Sequence, residues 1–180
     1  PNTEYALDLK FKLDLVNNQL AAKELYVAKY YIKSQKWIPA INRLKVIVNK
    51  YSETIFIEEA LHRLVEIYYK IGLEEEAKSA AILLGYNYNL RGVIFSNSSR
   101  FKEAYELFKK SLKIRKTLND QEGIASLYRN IGVVYLHTGL LKQSINYFNR
   151  SLNICEDIGY FIGILNCHLE LAKAYKQMGT

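Results

Sequence analysis

Shifted by forty residues, the second half of this sequence falls on itself. Phe101–Ile114 reads FKEAYELFKKSLKI, and Leu141–Ile154 reads LKQSINYFNRSLNI. Phe108 aligns with Phe148, Ser111 with Ser151, Leu112 with Leu152, and Gly123-Ile124 with Gly163-Ile164. Gly92, Gly132 and Ala172 share one column, as do Phe95, Tyr135 and Tyr175, and Tyr88, Tyr128 and His168. A fixed period of this length means one supersecondary unit repeated, each copy burying its apolar face against the next.

The column residues say what the unit is. Two helices cross closely only where small side chains sit, and Gly132 and Ser144 provide them. Tyr135 and Phe148 then fill the space between. Gly139 separates the two apolar patterns, where helices commonly end with positive φ. Ile131-Gly132-x-x-Tyr135 followed by Ser144-x-x-x-Phe148 resembles the tetratricopeptide signature, with Ser in place of the usual Ala; Ala104-x-x-x-Phe108 keeps the Ala. The longer period resembles the repeats of Rap-type and LGN-type regulators, which implies a peptide or a partner helix as ligand. The expected fold is all-α: a right-handed superhelix of stacked antiparallel helix pairs, a tetratricopeptide-like α-solenoid.

Composition agrees. Only 2 Pro and 9 Gly occur in 180 residues, too few for many short strands and their turns. No run of 18 apolar residues is present, so no membrane span is expected, and no basic-then-apolar leader is visible. The net charge of +7 is uneven: residues 1–90 carry 12 basic and 11 acidic side chains, residues 91–180 carry 13 and 7. Lys109, Lys110, Lys113 and Lys116 read as a solvated helix stripe, and no nucleic-acid motif accompanies them. Cys155 and Cys167 are too few for a metal site or a disulfide framework, which favours two buried free thiols.

The first half repeats at a different period. Tyr31 and Tyr68, like Ala40 and Ala77, are thirty-seven residues apart. Helix pairs are expected at about 20–34 with 37–51, and 55–71 with 74–84. Gly72 divides the second pair, and Ser52-Glu53-Thr54 is placed to cap the helix after it. Residues 4–19 form a further helix, and nothing punctuates the chain between 5 and 33. The acidic run Glu74-Glu75-Glu76 suits a first helical turn. Of Tyr30-Tyr31 and Tyr68-Tyr69, one of each pair belongs to the core and the other to the groove.

Glu24-x-x-Val27-Ala28-x-Tyr30-Tyr31, then Ala40-Ile41-Asn42-Arg43, Tyr51-Ser52-Glu53-Thr54 and Glu59-Ala60-Leu61 resemble the C-terminal repeats of the BamD family. These are the tetratricopeptide lipoproteins of the outer-membrane β-barrel assembly machine. Ser52 stands where the family usually has Pro, and Pro1-Asn2-Thr3 looks like the tail of a preceding repeat ending. The resemblance covers residues 1–88. It implies the periplasmic side of a bacterial outer membrane, and docking on a POTRA module of the barrel-forming subunit. The family's lipid-bearing Cys and N-terminal repeats are not in this sequence.

The halves join oddly. Ala77 and Ala104 are equivalent, yet only twenty-seven residues separate them, about two helical turns short of an ordinary repeat. Either the helix near 86–97 is short, or the helix from 74 runs on towards 98. Arg91 stands in the column of Ile131 and Leu171. Period, charge and resemblance all change near 85–92, so the expected division is 1–88 and 89–180. One reading of that change is a fusion, natural or engineered, of two unrelated repeat fragments.

Nothing supports catalysis: no phosphate loop is present, and His62, His137 and His168 are far apart in sequence, with His168 in a Tyr column. No cofactor or metal is expected. The expectation is a non-enzymatic scaffold holding a protein or peptide. Residues of the first helix of each pair would face the groove: Lys29, Lys33, His62, Glu66 and Tyr69 in the first half. In the second half they are Arg129, Val133, Leu136 and His137, then Asn166, Leu169, Lys173 and Lys176. Arg129 and Lys173 suit an acidic peptide or a C-terminal carboxylate, which makes a peptide-binding regulator the rival reading. Asn42-Arg43 reads equally as structural. The last helix, about 161–178, has no following partner, which points to end-to-end homo-oligomers or truncation.

Overall fold

The computed structural model describes residues 4–179; Pro1-Asn2-Thr3, with its expected repeat ending, lies outside them. Among the described residues there are eight α-helices and no strand. They are α1 (Glu4–Lys33), α2 (Trp37–Lys50), α3 (Ile57–Lys70) and α4 (Glu74–Asn97). Then come α5 (Phe101–Thr117), α6 (Gln121–His137), α7 (Leu141–Asp157) and α8 (Phe161–Met178). The described residues form two compact units that divide between Leu84 and Gly85, inside α4.

Six of the seven links are the same three-residue device. The middle residue is left-handed at Gln35, Gly72, Ser99, Asn119, Gly139 and Gly159. The next N–H reaches back five residues to a carbonyl, as Leu73 to Tyr68 (2.8 Å) and Leu140 to Tyr135 (2.9 Å). This closure satisfies carbonyls that the helix end leaves orphaned. Seventeen-residue helices joined by such links place α5, α6, α7 and α8 at starts twenty residues apart, which is the origin of the forty-residue period.

The expected N-cap at Ser52-Glu53-Thr54 is not one. α3 begins at Ile57 with no side-chain cap, and the Thr54 hydroxyl donates instead to the Tyr51 carbonyl (2.7 Å). Thr54 thus ties the six-residue link to itself rather than serving the helix after it. Asp120 is a true cap, its carboxylate accepting from the Gly123 N–H (2.8 Å) while Arg115 holds it.

In the first unit the core begins at Ala21 and runs through Leu25, Ala40, Leu44, Leu64 and Tyr68 to Ala77 and Ala80. Earlier on α1, Leu7, Leu9, Phe11 and Leu13 remain exposed. In the second unit α5 and α6 share Ala104, Phe108, Leu127 and Ile131, and α6, α7 and α8 share Leu136, Phe148, Leu171 and Ala174. α4 is one continuous 24-residue helix, which resolves the short join: the helix from 74 runs on to 97. Its first turns pack in the core of the first unit, while Gly92 meets Phe108 in the second. One helix therefore stands where two helices and a link would otherwise be.

Small residues set the helix spacing. A Cβ built on Gly132 would lie 2.5 Å from the Phe148 ring, and one on Gly92 would lie 2.6 Å from the Phe108 ring. The Ser111 hydroxyl donates to the Gly85 carbonyl and that of Ser151 to the Ala125 carbonyl, both at 2.7 Å. Ser144 is different: fully buried, its hydroxyl has no partner among the described residues. A buried unmet hydroxyl costs about 1–3 kcal/mol. Ser144→Ala, which matches Ala104, is expected to raise stability by about 1 kcal/mol, read as a higher midpoint in chemical denaturation.

Candidate partner-binding faces

An ionic chain links α1 to α3. Lys29 meets Glu59 at 2.9 Å, Glu59 meets Arg63 at 3.6 Å, and Arg63 meets Glu66 at 2.9 Å. Lys29 and Glu66, both expected on one face, are therefore joined through Glu59 and Arg63. The Glu66 hydrogen bond raises the Arg63 pKa, keeping the guanidinium charged. His62 lines an open depression here with Ile55, Glu58, Glu59, Arg63 and Glu66. Sequence reasoning did not place Glu59 and Arg63 on this face, although the i,i+4 spacing of Glu59 with Arg63 and the i,i+3 spacing of Arg63 with Glu66 are a usable signal. Tyr69 is exposed beside buried Tyr68, and Tyr30 is exposed beside half-buried Tyr31, as the paired tyrosines suggested. Lys33 is exposed near the end of α1.

Arg43 reaches from α2 to Glu24 of α1 at 3.1 Å, so it closes the first helix pair. A second depression, lined by Val48, Leu61, Leu64, Ala80 and Leu83, opens between α2, α3 and α4 and is mostly apolar.

In the second unit the expected groove residues do not converge. Leu136 is buried with Phe148 and Leu171, and half-buried Val133 packs against the same cluster; both are packing residues because α7 and α8 cover them. His137 is exposed but lies flat on Phe101, ring centroids 5.8 Å apart. Arg129 and Asn166 are half-buried, Lys176 and Leu169 exposed, and Lys173 is paired with Glu170 of its own helix at 2.8 Å. The lysine stripe of α5 is solvated, with Lys109 over the Tyr105 ring and Lys116 over Tyr128.

A tyrosine cluster joins α5, α6 and α7: Tyr105 packs edge-on against Tyr135, which stacks on Tyr147. The Tyr135 hydrogen bond and burial hold the Tyr105 phenol above its usual range. No group of three or more His, Cys, Asp or Glu residues suited to a metal occurs among the described residues. No described helix is long and apolar enough to cross a membrane.

Residues 1–83 match the outer membrane lipoprotein family model. Residues 80–157 match the tetratricopeptide repeat model. Among curated relatives, an outer membrane protein assembly factor BamD of Rickettsia prowazekii is 43% identical over 109 residues, 61% of this chain and 41% of the relative. BamD of Caulobacter vibrioides is 48% identical over 88 residues, 49% of this chain and 29% of the relative. The chain thus spans about two fifths of the first relative's length and less of the second's. Two solved structures share the fold: BtubC from P. vanneervenii (TM-score 0.51, 17% identity, 98% of this chain and 80% of that one), and the apo form of RapI (TM-score 0.52, 19% identity, 88% and 64%). The chain is therefore a tetratricopeptide-like helical-repeat protein whose first half resembles BamD. Both matching families are non-enzymatic. Nothing here supports the fusion reading. An alignment of 109 residues cannot fit within the first 88, so likeness to the Rickettsia protein continues past them.

Cys155 and Cys167 are free and buried. The Cys167 thiol donates to the Ser151 hydroxyl at 3.2 Å. Burial first, and then Cys167, push the Cys155 thiol above its usual pKa. A thiol so raised is neutral at pH 8, and the neutral form is a poor nucleophile. Alkylation of the folded protein at pH 8 is expected to run about tenfold or more slower than after denaturation, counted by mass spectrometry.

Proposed function

We propose that this chain is a non-enzymatic scaffold of outer-membrane β-barrel protein assembly, and that its first unit docks on a POTRA module of the barrel-forming subunit. The observation that carries this reading is the 43% identity over 109 residues with the Rickettsia protein, whose name is an assembly factor. The docking face is the ionic strip of α1 and α3, with Lys29, Lys33, His62, Glu66 and Tyr69 around it. Charged side chains that already neutralise each other along a strip exchange partners at modest cost, and they set register and association rate more than affinity. Tyr69 adds an amphipathic ring of the kind enriched at interfaces. Such a scaffold works on the periplasmic side of an outer membrane.

The test is calorimetric titration of the whole 180-residue chain with POTRA modules of a barrel-assembly subunit. One-to-one binding is expected, weakened about tenfold when Lys29 and Arg63 are both changed to Glu. No heat of binding with the unmodified chain at about 100 micromolar would sink the proposal.

A further inference from the structure

Cys155 and Cys167 are the two cysteines of the chain, and the repeat requires neither. One period earlier the same positions hold Arg115 and Leu127. There Arg115 pairs with Asp120 and ties α5 to the cap of α6. The equivalents of that pair are Cys155 and Tyr160, so the ion pair has no counterpart between α7 and α8. Two thiols stand at this seam instead. Both are 1% exposed, and they share one cluster with Ala125. Each sulfur is aimed at the other's helix. A Cβ built on Gly163 would lie 2.5 Å from Cys155 Sγ, so this sulfur points at α8, one turn before Cys167. The Cys167 thiol donates to the Ser151 hydroxyl at 3.2 Å, so it points at α7, one turn before Cys155. The two thiols also lie within hydrogen-bonding reach of each other. Gly163 has no Cβ, and α8 comes close to α7 there; a bridge of two sulfurs is short and needs that closeness.

We infer that Cys155 and Cys167 are a modification site, joined by a thiol–disulfide oxidant into a bridge that staples α8 to α7. The bridge takes the place that the Arg115–Asp120 pair holds between α5 and α6. The thiolate of one cysteine attacks a sulfur of the oxidant's disulfide, forming a mixed disulfide and releasing one thiolate. The other cysteine, deprotonated, then attacks the protein sulfur of the mixed disulfide and releases the second thiolate. Two protein thiols are oxidised and one small disulfide is reduced. The two protons lost by the cysteines end on the released thiolates. The change orphans no hydroxyl, because Ser151 keeps its bond to the Ala125 carbonyl. Burial makes the reaction wait for an open seam, so the bridge forms as α8 docks during folding or when it lifts. A compartment kept oxidising by disulfide exchange supplies such an oxidant. The site lies wholly in the second unit and stands whether or not the first unit binds a POTRA module.

The test is a thiol–disulfide equilibrium. The whole chain is refolded from urea into buffers of fixed reduced and varied oxidised glutathione, and a second series stays in the same buffers with urea. Both are quenched with acid, and the bridged fraction is read by mass spectrometry after alkylation of the remaining thiols. Refolding exposes both sulfurs, so burial cannot hide a competent pair. The folded chain is expected to bridge at an oxidised glutathione concentration about tenfold or more below that needed by the unfolded chain. By linkage, the bridged chain unfolds at higher urea. In Cys155→Ser and Cys167→Ser, which leave one thiol, oxidised glutathione should not raise the urea midpoint. An equal or higher oxidant requirement in the folded chain overturns the inference. So do folded chains that stop at glutathione mixed disulfides or at cross-linked dimers.

Discussion

The approach of α7 to α6 turns on one pairing of sizes, Gly132 against Phe148. The ring is wholly buried, and it lies where a methyl group on Gly132 would have to be. Burying a phenylalanine contributes about 1.5–3 kcal/mol, and only if the ring finds a slot of its shape. The glycine makes that slot, at the helix-propensity cost glycine carries. Three positions along, Ser151 donates to the Ala125 carbonyl, so the same contact that sets the distance also sets the rotation. Gly92, Phe108, Gly85 and Ser111 repeat the arrangement. The spacing and register of these helices follow from this pairing.

Much of the fold was legible because its signals are local or periodic. The uninterrupted stretch from 5 to 33, the αL glycines 72 and 139, and the Gly–Phe columns each state their structure directly. The join was legible only as a contradiction. Twenty-seven residues between Ala77 and Ala104 left two solutions, and nothing local in GYNYNLRG marks whether a helix continues or breaks there. With no Pro in that stretch, and with Gly85 and Gly92 both in helical conformation, α4 continues through it. Thr54 misled because cap residues also close turns on themselves, and sequence does not say which backbone group a hydroxyl will meet.

The binding faces were harder. Helical spacing identified which side chains leave the core, but not which neighbours they meet across helices. Leu136 looked like a groove residue because its own helix does not reveal that both α7 and α8 cover it. Lys173 looked free until Glu170 was seen beside it. Glu59 stood out only as part of the Glu59-Ala60-Leu61 motif and Arg63 not at all, although together they connect Lys29 to Glu66. Long charged side chains are placed by cross-helix partners, and a single period does not encode these.

The most direct test of the Gly132–Phe148 pairing is a double-mutant cycle of Gly132→Ala and Phe148→Leu by chemical denaturation. Overpacking alone should cost about 1–3 kcal/mol. If the two residues share one slot, the smaller leucine gives the added methyl room, and the double variant is more stable than the sum of the single losses by about 1 kcal/mol. Strict additivity would mean that the ring and the glycine do not set the helix spacing together, and would contradict the account.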